Sequence, residues 1–554
     1  MTSAPPHVGA AIAQTLARLG VPRVFVVPGE SFLPVLDGLH DSPVDTIVCR
    51  HEGGAAYMAE AYGKMTSSPG VAMVTRGPGA ANAFVGIHTA RQDATAMVLF
   101  VGLIPFTDRD RESFQEFDPR AWFGSQAKHV FVIDTPQRAS EIVAEAFHLA
   151  SSGRPGPVVV GLPEDLLYQP FTGSISGPRP RPDYGLSSRS QNVLETALHQ
   201  HSTTALLVGG AGWSPRLCQR LDRVAGRLRL PVFHDWRAGD RVPFSSDVNA
   251  GYLGYGRSDT TARLFASAEL VIAIGAHLTD VPSDGFQLRQ QGETIVISPD
   301  AALTGHSGKV TAQLVADPKE AVAALERAAE IGPPPTAVQK DFCAQARAAH
   351  AAASTIRPPE QWPPIAPGTA HLDRVFQELQ RRAGADAMYS FGAGNHCIWA
   401  QWFARTESFP SQLSTRNGSM GYSVPAAVSA KLQYPQRLSV AIAGDGELLM
   451  NGQELATALH YSAPILVIVS ANGEFGTIRD HQENHFPGRV CGTQLHNPDF
   501  ALFAQACGGY GEIIEDDSQV EAAFTRAFAA LEQGRSALLQ VAVDQGHSSP
   551  EGIA

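Results

Sequence analysis

Along residues 1–170, short apolar runs alternate with segments whose apolar residues recur every three or four positions. The first periodic segment places Val8, Ile12, Leu16 and Leu19 on one face of a helix. The pattern predicts helices at 8–19, 31–39, 52–64 and 80–91 and strands at 24–27, 46–49, 71–75 and 96–102. Such alternation is typical of a doubly wound parallel sheet with helices on both faces.

Two further regions repeat this alternation. Strands are predicted at 205–208, 232–234, 271–274 and 294–297, and a third α/β region runs from about His371 to the end. A stretch rich in Pro, Ser, Gly and Arg at 173–190 separates the first two regions. A Pro-rich segment at 332–367, which crosses a predicted helix near 337–353, separates the second and third regions. We therefore predict an α/β fold of three consecutive doubly wound parallel-sheet domains, at 1–172, 190–332 and 365–554.

Composition narrows the class of protein. The 554 residues are 44% hydrophobic and carry a formal net charge of −12 without a Lys/Arg cluster, which disfavours a nucleic-acid partner. The longest strongly apolar run, Ala96–Phe106, is too short to span a bilayer, and no signal peptide is expected. The six cysteines form no CxxC pair, which argues against a zinc site or a disulfide framework. We therefore expect a protein of the reducing cytoplasm with no membrane partner.

The most informative local pattern is Asp445, in an Ala-Gly-Asp-Gly-Glu run, followed 27 positions later by Asn472. Strands are predicted at 438–443 and 464–470, with a helix at 447–461 between them. Asp445 and Asn472 therefore follow neighbouring parallel strands, at the same edge of the sheet. Carboxylate and amide oxygens placed together in this way suit a divalent cation that shares its site with a diphosphate.

The glycines beside Asp445 add to this prediction. Gly444 and Gly446 are expected to allow close approach of a phosphate and unusual φ values in a tight strand-to-helix turn. Asp-Gly and Asn-Gly pairs are also common in ordinary surface turns, so the pattern is weak by itself.

A second carboxylate of interest is Glu52, in the run Cys49-Arg-His-Glu-Gly-Gly-Ala-Ala. It is predicted to lie where a strand ends and a helix begins. An isolated Glu at such a position most often only complements the helix dipole. The alternative is a carboxylate that exchanges a proton with a bound ring nitrogen.

Several runs taken together resemble the acetolactate synthase-like thiamine diphosphate enzymes. Four runs resemble the family's pyrimidine-binding domain: Pro28-Gly29, His51-Glu52-Gly-Gly-Ala-Ala, Gly77-Pro78-Gly79-Ala-Ala-Asn82 and Ser113-Phe-Gln115-Glu. Its central domain is resembled by Gly209-Gly-Ala-Gly212, and its diphosphate-binding domain by Gly392-Ala-Gly394-Asn395-His396, Gly418-Ser-Met420-Gly421, Asp445 and Asn472. The resemblance covers nearly the whole chain, in order.

This resemblance implies thiamine diphosphate and Mg²⁺ as cofactors. By it, Glu52 hydrogen-bonds the aminopyrimidine N1′ and so promotes the imino tautomer that removes the proton from thiazolium C2. Asp445 and Asn472 supply side-chain oxygens to the metal, and Glu474 supplies its main-chain carbonyl. Two diphosphate oxygens and a water would complete the octahedron that Mg²⁺ prefers.

The resemblance also implies a set of cofactor-binding residues. The set is Pro28, Glu52, Gly394, Asn395, His396, Gly418, Met420, Gly444, Asp445, Gly446, Glu447, Asn472, Phe475, Gly476 and Thr477. Met420 resembles the apolar wedge that bends the cofactor into a V, although a Met at this spacing is otherwise ordinary core. His396 is expected either to contact phosphate or to cap the following helix as a structural histidine.

In this family the pyrimidine-binding domain of one subunit meets the diphosphate-binding domain of another. The resemblance therefore implies a homodimer or homotetramer in which Glu52 and Asp445 serve one cofactor from different chains. Gln115, with Phe114, matches a catalytic position that reaches the active site from the partner subunit. The alternative for Gln115 is a solvated loop.

The chain departs from the family pattern near the expected acceptor pocket. His481 stands where acetolactate synthases have a Trp that favours a 2-ketoacid as acceptor, which argues against their biosynthetic activity. His481, with Asp480 and His485, is predicted to handle protons on the acceptor carbonyl or, equally, to belong to a polar helix that closes the pocket. Glu30, after Pro28-Gly29, adds bulk or charge near the same pocket.

A flavin is not favoured. Acetolactate synthases and pyruvate oxidases carry FAD in the central domain, but Gly209-Gly-Ala-Gly212 is only a partial glycine-rich turn. Trp213 with Ser214-Pro215 breaks the spacing that a nucleotide site needs.

The resemblance implies a thiamine diphosphate-dependent lyase or transferase. Its main prediction is a carboligase that decarboxylates a 2-ketoacid such as pyruvate and joins the resulting enamine to a second carbonyl compound. One alternative is a 2-ketoacid decarboxylase or aldehyde lyase without ligation, although the adjacent His pair of pyruvate decarboxylases is absent. Another is an FAD-dependent enzyme similar to pyruvate oxidase.

Overall fold

The computed structural model describes residues 6–289, 291–302, 306–547 and 549–550. Within these ranges the chain forms three six-stranded sheets. Every pairing between their strands is parallel. This confirms the predicted α/β fold with three parallel-sheet regions, while the exact domain boundaries stay predictions.

The first sheet lies in the N-terminal third of the chain. Its strands are β1 (Arg23–Val26), β2 (Asp45–Val48), β3 (Gly70–Val74), β4 (Met97–Leu103), β5 (His129–Val132) and β6 (Pro157–Pro163), in the order β2-β1-β3-β4-β6-β5. Its helices are α1 (Val8–Arg18), α2 (Leu33–His40), α3 (Glu52–Thr66), α4 (Pro78–Asp93), α5 (Pro119–Phe123), α6 (Ala139–Ser151) and α7 (Glu164–Leu167). Strands β3, β4 and β6 are buried along their whole length, as expected for strands covered by helices on both faces.

The second sheet follows after a stretch without helices or strands. Its strands are β7 (Thr204–Val208), β8 (Val232–His234), β9 (Asn249–Tyr252), β10 (Leu270–Ile274), β11 (Glu293–Ser298) and β12 (Lys309–Val315), in the order β12-β11-β10-β7-β8-β9. Its helices are α8 (Ser188–Gln200), α9 (Pro215–Leu228), α10 (Asp259–Ser267), α11 (Pro318–Ile331) and α12 (Ala337–Ala353). After β7, the buried Trp213 indole donates to the Gly209 carbonyl at 2.8 Å.

The third sheet completes the chain. Its strands are β13 (Met388–Phe391), β14 (Gln412–Ser414), β15 (Ser439–Gly444), β16 (Leu466–Ala471), β17 (Tyr510–Ile514) and β18 (Ala537–Ala542), in the order β14-β13-β15-β16-β18-β17. Its helices are α13 (Leu372–Arg382), α14 (His396–Phe403), α15 (Ser423–Gln433), α16 (Asp445–Asn451), α17 (Leu455–His460), α18 (Gly476–His485), α19 (Phe500–Ala506) and α20 (Val520–Glu532).

The single helix predicted at 447–461 is wrong. Helix α16 ends at Asn451, a 3₁₀ turn spans Gly452–Glu454, and α17 begins at Leu455. Glycine has a low helix propensity, so the break at Gly452 is cheap. The turn directs the buried Glu454 carboxylate onto main-chain N–H groups of a distant segment, a tertiary contact that the local pattern does not contain.

Contacts divide the chain into two compact units. The first runs to Pro182 and also includes Val428–Gln433 and Asn451–Tyr461, and the second contains the rest. The first sheet therefore belongs to the first unit, and the second and third sheets belong to the second unit. Within the second unit, Trp236 and Tyr252 pack into the apolar core of the third sheet. No helix in the described ranges combines the length and apolar character needed to cross a bilayer.

Candidate active site

Asp445 and Asn472 follow the carboxyl ends of two neighbouring strands in the middle of the third sheet. Strands β15 and β16 pair in parallel up to Gly444 and Ser470, and Asp445 and Asn472 come directly after these strands. The Asp445 carboxylate accepts the main-chain N–H of Gly473, the residue after Asn472, at 2.8 Å. The predicted βαβ arrangement of these two residues is therefore correct.

Asp445 is a buried carboxylate surrounded by donors. Only 3% of the residue is exposed, and its oxygens accept N–H groups from Gly446 at 2.9 Å, Gly473 at 2.8 Å and the Asn497 amide at 2.7 Å. Burial raises the pKa of Asp445, and these three donors oppose the increase. Asn497 was not identified from the sequence, because it lies on a distant loop with no recognisable motif.

The other two predicted metal ligands, Asn472 and Glu474, flank Gly473, whose main-chain N–H donates to the Asp445 carboxylate. The Asn472 side-chain oxygen accepts the Glu474 N–H at 3.2 Å. The Glu474 carboxylate is occupied by Arg479, at 3.0 and 3.1 Å, so its main-chain carbonyl is the group left for a cation. No cluster of three or more His, Cys, Asp or Glu side chains suited to a metal occurs in the described part of the chain. The predicted set is of another kind, with one carboxylate, one amide and one carbonyl.

His396 contacts Glu447 near the same strand ends. Its Nε2 lies 3.0 Å from a Glu447 oxygen, and both side chains are buried. Burial alone would lower the pKa of His396, but contacts with Cys397 and Glu447 outweigh burial and raise this pKa to about 10. Glu447 also accepts the main-chain N–H groups of Ser423 at 3.2 Å and Ala393 at 3.4 Å. The arrangement favours the protonated form of the His396 ring, next to the Glu447 carboxylate.

One of the two reasons predicted for Gly444 and Gly446, the unusual φ values, is wrong, and close packing gives another. Neither belongs to the described glycines with positive φ, so the expected unusual φ values are wrong. A Cβ on Gly444 would lie 2.9 Å from His396 Nδ1, and one on Gly446 would lie 2.5 Å from the Phe475 ring. Close packing therefore excludes a side chain at these two positions.

A cleft of about 250 Å³ opens beside these groups. It is lined by the following predicted residues: Gly394, Asn395, His396, Gly418, Met420, Gly444, Asp445, Gly446, Glu447, Asn472, Glu474, Phe475, Gly476 and Thr477. The structure thus brings the whole predicted diphosphate-side set around one space, with Met420 in its wall.

Glu52 lies in the other compact unit, at the first position of α3. Its carboxylate is half-buried and accepts the Asn82 side-chain amide at 2.9 Å. A Cβ on Gly79 would approach the Glu52 carboxylate to 3.2 Å. Asn82 belongs to a run that was identified from the sequence, but its contact with Glu52 was not predicted.

Gln115 lies close to the same glycine turn. A Cβ on Gly77 would lie 3.1 Å from Gln115, and Gln115 itself has a φ of +62°, in the left-handed region. Such a conformation costs free energy in a non-glycine residue and is found more often at functional sites. Gln115 therefore lies beside Gly77 and Glu52 beside Gly79, two glycines of the same turn. Pro28, by contrast, is exposed and follows β1.

His481 lies exposed on α18, a helix with no buried residues. Together with Asp480 it lines a second, larger cavity of about 840 Å³ in the same compact unit as the cleft beside Asp445. Gly394, Asn395 and Thr477 line both spaces. The predicted polar helix is thus a wall of this larger cavity.

Comparison with known protein families matches three parts of the chain. Residues 6–122 match the N-terminal TPP binding domain of thiamine pyrophosphate enzymes, residues 193–325 their central domain, and residues 392–541 their C-terminal TPP binding domain. The cleft residues around Asp445 fall within the last of these matches.

Curated relatives extend the similarity over most of the chain. An acetolactate synthase of Mycobacterium bovis is 31% identical over 525 residues, which cover 92% of this chain and 84% of the relative. The acetolactate synthase large subunit of Corynebacterium glutamicum is 30% identical, with 90% and 81% covered. Isozyme 2 of Escherichia coli is 29% identical, with 96% and 95% covered. The chain therefore belongs to the family of thiamine pyrophosphate enzymes that includes the acetolactate synthases.

Proposed function

We propose that this protein is a thiamine diphosphate- and Mg²⁺-dependent carboligase that decarboxylates a 2-ketoacid such as pyruvate and joins the remaining fragment to a second carbonyl compound. The cleft that Asp445, Asn472, His396 and Met420 line together is the observation that carries the proposal. The similarity to acetolactate synthases over most of the chain supports the same reaction class.

The residues around Asp445 fit a metal-bound diphosphate. The charge of the Asp445 carboxylate is costly because the residue is only 3% exposed, and burial raises its pKa. A hard divalent cation held by Asp445, Asn472 and the Glu474 carbonyl would remove that cost. The His396 ring, packed against Gly444, lines the same cleft and would donate a hydrogen bond to a diphosphate oxygen.

The roles of the remaining residues follow from their positions. When bound, thiamine diphosphate supplies a carbon nucleophile and accepts the electron pair that carbon dioxide leaves behind. Glu52, steadied by Asn82, would share a proton with the aminopyrimidine N1′ nitrogen. Met420 would support the cofactor from the wall of the cleft as an apolar wedge.

We further propose that the enzyme is a homodimer or homotetramer with its sites at subunit interfaces. Glu52 and Asp445 belong to different compact units. The proposal is that Glu52 of one subunit and Asp445 of another serve the same cofactor. A cytoplasmic location is proposed as well, because all six cysteines are free thiols.

Product analysis tests the proposed reaction. The purified enzyme is given thiamine diphosphate, Mg²⁺ and a panel of 2-ketoacids, alone and with added aldehydes or ketones, and carbon dioxide and ligation products are followed together. A carboligase releases carbon dioxide and forms ligated product in equal amounts. Release of free aldehyde in place of ligated product would contradict ligation, and absence of carbon dioxide would contradict the whole proposal.

Decarboxylation without ligation is the second candidate function. The observation in its favour is the polar wall formed by α18, which places Asp480, His481 and Glu483 around the larger cavity. Such groups can deliver a proton to the fragment left after decarboxylation, which would release it as an aldehyde. The same product analysis separates the two reactions.

A further inference from the structure

The side-chain amide of Asn395 connects the candidate site to helix α18. Asn395 precedes α14 and lines both the cleft beside Asp445 and the larger cavity. Its Nδ2 donates to a carboxylate oxygen of Asp480 at 2.8 Å, and its Oδ1 accepts the Thr477 hydroxyl at 2.8 Å. Because the first two turns of α18 hold both ends of the amide, they fix the orientation of its plane.

Asn395 makes this contact in place of an ordinary local one. The residue stands at the N-cap position of α14, where an Asn side chain usually accepts a main-chain N–H of the first helical turn. Within the described residues, the Asn395 side chain makes no such cap. A helix without this cap is less stable, so the amide serves the contact with α18 and not the stability of α14.

Polar contacts hold the start of α18. None of the ten residues of this helix, all of which the structure describes, is buried. Arg479 donates to the Glu474 carboxylate at 3.0 and 3.1 Å and to the Gln545 side-chain oxygen at 3.0 Å. An element with little apolar burial depends on such contacts for its position. The same contacts therefore place the neighbouring Asp480 carboxylate opposite Asn395.

We propose that Asp480 is a positioning residue that keeps Asn395 in place for the diphosphate of the bound cofactor, an inference that rests on the proposed thiamine diphosphate site. An amide whose orientation is already fixed loses less freedom when a ligand binds, which improves affinity. Because Asp480 is exposed, water competes for its oxygens and the expected effect is modest. The proposal leaves His481 and Glu483 as the groups of α18 for proton transfer in the second candidate function.

Calorimetric titration of thiamine diphosphate, with Mg²⁺ in excess, into the full-length cofactor-free protein tests the proposal without turnover. Asp480→Ala removes the acceptor and is expected to weaken binding about threefold to tenfold, the effect of one lost hydrogen bond. Asp480→Asn keeps an acceptor of the same size and is expected to recover most of this loss. Asp341→Ala is the matched control, because Asp341 accepts the Gln345 amide at 2.7 Å on an exposed part of α12. Wild-type affinity in Asp480→Ala would overturn the proposal.

A double-mutant comparison shows whether Asp480 acts through Asn395. Asn395→Ala alone is expected to weaken cofactor binding, and Asp480→Ala added to it is expected to cause no further loss. Additive losses would mean that Asp480 affects the cofactor independently of Asn395, which would overturn the proposal. The cofactor-free Asp480→Ala variant is expected to keep the wild-type melting temperature, and a lower one would make Asp480 a structural residue.

Turnover separates positioning from proton transfer. In the cofactor-saturated enzyme, Asp480→Asn is expected to keep the wild-type pH profile of kcat, whereas loss of a proton carrier would lower kcat by about a hundredfold or more. A fall of that size would overturn the proposal. A wild-type protein that binds thiamine diphosphate with the expected dependence on Asp480 but releases no carbon dioxide from any 2-ketoacid would contradict only the proposed function.

Discussion

The Glu454 carboxylate accepts the main-chain N–H of His51 at 3.0 Å, one residue before Glu52. The same carboxylate accepts the Arg50 N–H at 3.1 Å and the Thr457 hydroxyl at 2.5 Å, and Glu454 has no exposed surface. These contacts lie within one compact unit. The buried Glu454 side chain, which lies between β15 and β16 in the sequence, therefore fixes the main chain that precedes Glu52, the proposed proton carrier.

Removal of this carboxylate is expected to affect turnover more than cofactor binding. In Glu454→Ala, the Arg50 and His51 N–H groups lose their acceptor, and each of these part-buried hydrogen bonds contributes about 1 kcal/mol. We expect a lower melting temperature, a reduced kcat and nearly unchanged affinity for thiamine diphosphate, with partial recovery in Glu454→Gln. Glu532→Ala, at an exposed position, is the control. Wild-type kcat in Glu454→Ala would show that the His51 contact does not position Glu52.

Two buried histidines of the second sheet region predict sensitivity to acid. Burial lowers the pKa of His234 to about 3, helped by Arg241, and burial lowers the pKa of His350 to about 3, helped by His234 and Arg347. Below the ordinary value of 6.5 the unfolded chain binds protons on these rings and the folded chain does not. The free energy of unfolding therefore falls as the pH falls from 6.5 towards 3, by about 1.4 kcal/mol per pH unit for each ring.

Denaturant unfolding at several pH values measures this slope. His350→Leu is expected to remove one ring's share of the pH dependence, while His40→Leu, at an exposed position, keeps the wild-type slope. An unchanged slope in His350→Leu would mean that His350 is not held neutral by its surroundings.

Asn497 is expected to act on the metal site through Asp445. Asp445→Asn removes the charged ligand and should abolish tight binding of thiamine diphosphate with Mg²⁺. Asn497→Ala removes only the 2.7 Å hydrogen bond to Asp445 and should weaken binding by about tenfold, the effect of one lost hydrogen bond to a charged group. Calorimetric titration measures both affinities, with Asn192→Ala, at an exposed position of α8, as the control. Cofactor binding by Asp445→Asn at wild-type affinity would exclude Asp445 as a metal ligand.

Local sequence patterns were sufficient to predict the sheet architecture. Apolar runs of strand length separated by periodic helices follow directly from the burial of parallel strands on both faces, so strands such as β3 and β4 were predicted to within a residue or two. Asp445 and Asn472 each follow a predicted strand, and a helical segment joins the two strands. This order predicted that the two residues lie at the ends of neighbouring parallel strands. The cleft residues could be grouped because they lie in a few motifs that resemble one family.

The remaining features depend on contacts that no local pattern records. Asn497 donates a hydrogen bond to Asp445, and Glu454 accepts one from His51, which is far away in the sequence. Glu454 also lies in the 3₁₀ turn that interrupts the helix predicted at 447–461. From the sequence, His396 was expected either to contact phosphate or to cap a helix. Its contact with Glu447 could not be predicted, because the two residues lie far apart in the sequence.

Complementation between two inactive variants tests the shared site most directly. Glu52→Gln and Asp445→Asn are each expected to fold and to lack turnover when expressed alone. If Glu52 of one subunit serves the Asp445 site of another, co-expression forms mixed dimers with one intact site, and about a quarter of the wild-type carbon dioxide release from the accepted 2-ketoacid is recovered. Activity that stays at the level of the single variants, although mixed dimers are isolated, would contradict a site built from these two residues across the subunit interface.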